Sequence, residues 1–318
     1  MRVAVTGAGG RLGSALVEQL TVAPFVRQVM AWDLPEHDLD DSASARHLVS
    51  EYRPDAVVHA AAWTDVDGCA GNPALAMRRN GTATGEMALA CLDAGASMIM
   101  VSTNEVFDGL RTDGAAYRPD EATNPGNPYG AAKLHGEHLA RAAYAAAGPE
   151  FSRAAKDRRG GEPSRAKGAS QLAIVRTAWL FGTPGSDFPQ KILAAARKTR
   201  AEGDTLSLVA DETGNPTYAV DLAGAIVRLV AAAAAGEDIF GIHHVVNAGR
   251  ASRAEWAREV LRIAGLDVPT EDVPMATWPR PSTPPAWGVL QPTPLPGGPL
   301  RDWREALREY ARLLPGVE

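Results

Sequence analysis

Tyr129 and Lys133 stand four positions apart in "NPYGAAKLHGE" (127–137). On a helix that spacing puts them on one face, one turn apart. A phenol alone, with a pKa of about 10, is a poor proton carrier at neutral pH. A neighbouring ammonium favours the phenolate and lowers that value, so the pair can deliver a proton to a substrate oxygen. The same lysine can also hold a ribose. Thr103, in "VSTNEVFDG" (101–109), ends an apolar run and offers a hydroxyl that can polarise a carbonyl. Asn104 and Glu105 follow at once, and an acid there raises a rival reading in which the carboxylate does the chemistry.

A hydroxyl, a phenol and an ammonium move protons but supply no hydride. "VAVTGAGGRLG" (3–13) offers a site for a hydride carrier. Gly7, Gly10 and Gly13 are three apart, after a strand pattern and at the opening of a helical one. The first glycine makes a tight turn, the second lets a pyrophosphate approach the backbone, and the third lets helix pack on strand. The helix N-terminus then faces the anion. Asp33 closes "VRQVMAWD" (26–33) about twenty residues on. A carboxylate there accepts both ribose hydroxyls of NAD(H) and repels the extra phosphate of NADP(H). Arg11, inside the loop, pulls the other way, so both coenzymes fit the sequence.

The elements that must carry these groups alternate. Strand patterns at 2–6, 26–33, 54–62, 97–103 and 171–182 are separated by helical ones, the longest at about 74–94 and 126–148. Buried apolar strands alternating with helices predict a parallel sheet covered on both faces, a doubly wound α/β fold of Rossmann type. Thr103 then ends the fourth strand, on the carboxyl edge where such sheets bind ligands. Residues 1–180 are expected to form the dinucleotide-binding domain. Residues 181–318 are expected to form mainly a smaller substrate-binding lobe, with elements at about 219–247 returning to the sheet. Two segments break the rhythm. Residues 149–170 hold six basic and three acidic residues and read as a flexible surface insertion. Residues 273–299 are proline-rich and read as an ordered loop or strand edge, because "RDWREALREYARLL" (301–314) is an amphipathic helix that must dock.

The 318 residues carry a net charge of −6, with 45% hydrophobic and 22% charged residues. That is the range of soluble globular chains, and it offers no basic footprint for nucleic acid or an anionic membrane. No uncharged apolar run approaches the roughly 20 residues of a bilayer span. The N-terminal stretch reads as strand and turn rather than signal peptide. Cys69 and Cys91 read as free buried thiols in a reducing cytoplasm. His135, Glu137 and His138 have no further ligand nearby in sequence and read as a solvated helix face, so no metal is expected.

"TGAGGRLG", "ST" before "VF", and "YGAAK" resemble the extended short-chain dehydrogenase/reductases. More narrowly, the chain resembles the dTDP-4-dehydrorhamnose reductase family. The stretches that carry this are "RPDAVVHAAAWTDVDGCAGNP" (53–73), "NPYGAAKLHGE", "VRTAWLFG" (175–182), "DETGNPTYAVDLA" (211–223) and "DWREAL" (302–307). The resemblance implies NAD(P)H-dependent reduction of dTDP-4-dehydro-L-rhamnose to dTDP-L-rhamnose. It implies Thr103, Tyr129 and Lys133 as the catalytic set. Gly7, Gly10, Arg11, Leu12, Gly13, Asp33, Ala60, Ala61, Ala62, Tyr129 and Lys133 would line the coenzyme. Thr103, Asn104, Glu105, Trp179, Asn215 and Thr217 would face the dTDP-sugar. A monomer or homodimer is expected.

Three departures stand out. The family's Asp-Tyr is Asn104-Glu105 here. "TPPAWGVL" (283–290) lacks an arginine the family carries, although Arg280 lies upstream. The basic stretch at 149–170 is extra. "STNEVF" also resembles the Thr-Asp-Glu of nucleotide-sugar dehydratases and epimerases, but the amide of Asn104 cannot give the acidic proton such an elimination needs. A non-catalytic nucleotide-binding subunit is a third reading, and the retained hydroxyl, phenol and lysine argue against it.

Overall fold

The computed structural model describes residues 1–157 and 170–314. The chain begins with β1 (Arg2–Thr6), α1 (Arg11–Thr21), β2 (Gln28–Trp32), α2 (Ser44–Tyr52) and β3 (Ala56–His59). Next come α3 (Val66–Gly71), α4 (Pro73–Ala76), α5 (Ala83–Ala94) and β4 (Ser97–Thr103). After α6 (Pro128–Asp157) and β5 (Leu172–Thr177), the chain leaves the sheet through β6 (Leu180–Phe181), α7 (Phe188–Glu202), β7 (Leu206–Val209), β8 (Thr213–Gly214) and β9 (Thr217–Tyr218). It returns with α8 (Ala219–Ala235) and β10 (Gly241–His244), then ends with β11 (Ala251–Ser252), α9 (Arg253–Ile263), β12 (Thr270–Val273) and α10 (Trp303–Ala311).

Six strands pair in the order β10-β5-β4-β3-β1-β2, every pairing parallel. Alternate strand residues serve opposite faces. Val3, Val5, Val58 and Val175 pack under α1 and α8. Ala4, Val57, Met98 and Ile174 pack under α2, α5 and α6. From β1 the chain winds one way to β2 and the other way through β3, β4 and β5. The reversal between β1 and β3 is where such sheets open a ligand crevice at their carboxyl edge. A separate apolar cluster joins α7, α9 and α10 around Trp256, Trp303 and Tyr310.

The structure corrects several expected boundaries. The strand pattern at 171–182 divides into β5 and β6, because Trp179 takes a left-handed φ of 44° between them. The helical run at 74–94 is α4 and α5 joined by a π-helical turn, Met77–Thr82. The stretch expected as a flexible insertion begins inside α6, which runs to Asp157, and the rest of it lies largely outside the described residues. The proline-rich segment is pinned by bridges from Tyr117 to Leu290 and Thr213 to Trp287. Glu137 does not lie on a solvated face. It is buried, while His135 and His138 are exposed. Both cysteines are free and buried. Among the described residues, no helix is long and apolar enough to cross a membrane, and no cluster of candidate metal ligands is present.

Candidate active site

One cleft of about 750 Å³ runs along the carboxyl edge of the sheet, from the glycine loop past Tyr129 to Trp179 and Arg253. At its first end the loop needs its glycines. Gly7 has φ 66°, and a Cβ there would lie 2.8 Å from Ala61 Cα. A Cβ on Gly13 would collide with the Gly7 carbonyl oxygen. Gly10 is the N-cap of α1, with no side-chain cap and no acid in the first turn, so the helix's free N–H groups face the cleft. That arrangement fits a dinucleotide pyrophosphate. Leu12, Asp33 and the Ala60–Ala62 wall line the same end. Asp33 accepts hydrogen bonds from the Gly9 and Leu34 N–H groups. Arg11 crosses the cleft instead, donating to the Gly182 and Ser186 carbonyls at 2.6 and 3.0 Å.

A buried chain of hydrogen bonds fixes the loops after β1 and β3. Ala61 N–H donates to the Thr6 hydroxyl at 3.1 Å, and that hydroxyl lies 2.9 Å from His59 Nδ1. His59 Nε2 lies 3.2 Å from the Thr84 hydroxyl, which itself donates to the Asn80 carbonyl at 2.9 Å. Thr84 must therefore accept from Nε2–H, which leaves Nδ1 to accept from Thr6. Burial first, then the charge of Lys133, pushes His59 down to about 3 and keeps it neutral. Asn80, in the π-helical turn, clasps the Trp63 backbone with both amide atoms, at 2.8 and 2.9 Å. Sequence reasoning missed both residues. Their only signals were a histidine ending the apolar strand "AVVH" and an asparagine inside a helical pattern.

Thr103, Tyr129 and Lys133 line the same cleft, with Thr103 within hydrogen-bond reach of the Tyr129 phenol. α6 is brought close by Gly130, where a Cβ would collide with the Glu105 carbonyl oxygen. Asn127 caps this helix, its Oδ1 accepting from Gly130 N–H at 2.9 Å. Burial and then the charge of Glu105 hold the Tyr129 phenol above its ordinary value, while a hydrogen bond with Thr103 opposes them. The expected lowering by Lys133 is thus reversed, because desolvation dominates in the closed wall. Lys133 is 2% exposed and pushed down to about 8 by burial, with Glu137 opposing. Among the described residues its ammonium has no hydrogen-bond partner, although it borders the cleft.

Asn104 and Glu105 also line the cleft. The Asn104 amide donates to the Gly288 carbonyl at 3.2 Å. Burial pushes Glu105 up, opposed by a 2.7 Å hydrogen bond from Asn127 Nδ2. Trp179 stacks on Trp256, and the Arg253 guanidinium lies 3.6 Å from the Trp179 ring centroid. Glu212 holds Arg253 from below at 2.8 and 2.9 Å. Asn215 and Thr217 do not reach the cleft. Asn215 ties the Gly249 carbonyl to Leu290 N–H, and Thr217 donates to the Asn215 carbonyl. The neighbouring Gly214 explains much of that motif, since a Cβ there would lie 2.6 Å from the Trp179 ring. Arg253 and Glu212 escaped the sequence reading, because a salt bridge across 41 positions has no local signal.

The family model for the RmlD substrate binding domain matches residues 1–148 and 151–314. The chain belongs to this RmlD family. It is 35% identical over 319 residues to a dTDP-4-dehydrorhamnose reductase of Streptomyces griseus, covering 98% of this chain and 93% of that one. It is 32% identical over 326 residues to a dTDP-4-keto-6-deoxy-D-glucose reductase of Streptomyces niveus, covering 99% and 98%. Among solved structures, a dTDP-4-dehydrorhamnose reductase from Clostridium acetobutylicum superposes with a TM-score of 0.82 at 28% identity, covering 98% and 99% of the two chains. The reductase of Bacillus anthracis in complex with NADP superposes with a TM-score of 0.80 at 27% identity, covering 97% and 98%. The RmlD match thus spans both the sheet and the α7–α9–α10 cluster, and residues of both line the cleft.

Proposed function

We propose that this protein reduces the C4 ketone of a dTDP-4-keto-6-deoxysugar, dTDP-4-dehydro-L-rhamnose in the first instance, to the alcohol. The class, an NAD(P)-dependent oxidoreductase of sugar nucleotides, follows from its membership of the RmlD family. The observation that carries the reading is the meeting of Thr103, Tyr129 and Lys133 in one cleft with the glycine loop. When bound, the coenzyme supplies the hydride. The glycine loop and α1 would hold its pyrophosphate, Asp33 its adenosine ribose, and Lys133 its nicotinamide ribose.

The remaining work falls to side chains of this protein. Thr103 donates a hydrogen bond to the ketone oxygen and polarises it. Tyr129, kept protonated by burial, gives its proton to the oxygen as the alcohol forms. The positive charge of Lys133 offsets the phenolate left behind. Trp179, with the Arg253 guanidinium over its ring and Trp256 alongside, offers apolar surface to the sugar nucleotide. Elimination chemistry is disfavoured, because the Asn104 amide is neutral and already bonded to Gly288.

The test is coenzyme oxidation by the purified chain with dTDP-4-dehydro-L-rhamnose and, separately, dTDP-4-keto-6-deoxy-D-glucose. Turnover of the first above the second supports the rhamnose reading. The reverse order moves the assignment to the second sugar, and no oxidation with either sinks the reductase reading.

A further inference from the structure

The sequence sets Asp33 against Arg11 in the choice of coenzyme, and the structure separates the two. Asp33 stands at the end of β2 with both carboxylate oxygens fixed, Oδ2 by Gly9 N–H and Oδ1 by Leu34 N–H at 2.9 Å. Each oxygen keeps a free lone pair, so the carboxylate presents two acceptors to a pair of vicinal hydroxyls. The loop is shaped around it, since a Cβ on Gly9 would lie 2.5 Å from Oδ2. A ribose 2′-phosphate brought here would meet this fixed negative charge. Asp38 lines the same end and adds to it, while Asp40 there is compensated by Arg79.

The cations that line the cleft are either already paired or placed elsewhere. Arg11 spends its guanidinium on the Gly182 and Ser186 carbonyls, on the far rim. Arg79 forms a two-pronged pair with Asp40, from 2.6 to 3.0 Å. Lys133 is buried beside Tyr129, and Lys191 and Arg253 belong to the second lobe. His37 turns its ring toward Trp32 and Tyr52. Among the described cleft residues, no arginine or lysine is left to receive a phosphate beside Asp33.

We infer that this chain selects NAD(H) over NADP(H), with Asp33 as the specificity-determining residue. The inference rests on the dinucleotide reading of the cleft. It would set this protein apart from the Bacillus anthracis relative, whose structure holds NADP.

Titration calorimetry on the full chain tests it without turnover. The probes are NADH, NADPH, ADP-ribose and 2′-phospho-ADP-ribose, the last two isolating the adenosine end. The expected result is at least about tenfold tighter binding of each ligand lacking the 2′-phosphate. Asp33→Asn should shrink that ratio, chiefly by tightening NADPH. Arg11→Gln should leave the ratio unchanged. NADPH binding as tightly as NADH overturns the preference, even where Asp33→Asn fails to fold. So does an Arg11→Gln variant that weakens NADPH selectively. Binding of neither coenzyme overturns the dinucleotide reading and the preference together.

Discussion

Asn127 Nδ2 donates to the Glu105 carboxylate at 2.7 Å, while its Oδ1 caps the helix that carries Tyr129. One side chain thus locks the helix of the proton donor to the acid that follows Thr103. The acid is a wall residue in this arrangement. Burial holds the Tyr129 phenol protonated, and the charge of this acid adds to that.

Glu105→Gln should stabilise the protein near neutral pH. Burial raises the carboxyl above its ordinary 4.5 in the folded state. Its stabilising contribution is therefore complete below 4.5 and is lost as pH rises through the folded value. Glutamine keeps an acceptor for Asn127 and removes the buried charge. Melting curves should place the variant above wild type at pH 8 and level with it at pH 4. A variant less stable at pH 8 would contradict the burial argument. In assays the change should affect KM more than kcat.

Tyr129→Phe should lower kcat by about 10²–10⁴, the usual share of a positioned proton donor. Coenzyme affinity, read by fluorescence quenching, should hardly change, because the loop and Asp33 are untouched. Retained turnover would remove Tyr129 from the proton-transfer step.

The alternation of strands and helices, the glycine loop and the Tyr129–Lys133 pair are legible in the sequence because each rests on local spacing. Gly130 is legible as part of "YGAAK", yet its reason, the approach of the Glu105 carbonyl, appears only in three dimensions. Asn215 and Thr217 lie outside the cleft lining and tie neighbouring backbone. Their motif lies beside the pocket and works by packing Gly214 under Trp179. His59, Asn80, Glu212 and Arg253 act through partners 17 to 53 positions distant, as with Asn80–Trp63, Glu212–Arg253 and Thr6–His59, and periodicity carries no such pairing. The direction of the phenol's pKa is not legible, because spacing reports a charge neighbour and not burial.

Lys133→Met should stabilise the fold while weakening coenzyme binding. Burial lowers the lysine from 10.5 to about 8. Its stability contribution is thus present above 10.5 and is lost as pH falls through about 8. At pH 7 the charged lysine costs up to about 3 kcal/mol, which methionine relieves. Urea titrations should show the gain at pH 7 and none at pH 11. Coenzyme affinity of the wild type should fall as pH rises past about 8 and the ammonium is lost. A flat affinity profile would free Lys133 of the ribose role.

Glu137→Gln should be costly, and it should reach the active site. Its carboxylate takes two N–H groups from Arg176, at 2.9 and 2.6 Å, and a hydrogen bond from the Ser102 hydroxyl. The two partners are 1% and 2% exposed. Removing one charge leaves the other buried without compensation, a loss of about 3–5 kcal/mol. Replacing both, as Glu137→Leu with Arg176→Met, should restore part of it, which denaturant midpoints would measure. Glu137 also lies one helical turn beyond Lys133 and raises its pKa. Where the single variant folds, Lys133 should therefore lose its proton at a lower pH than in wild type. The fall in coenzyme affinity should then begin below pH 8. An unmoved profile would confine Glu137 to a structural role under the sheet.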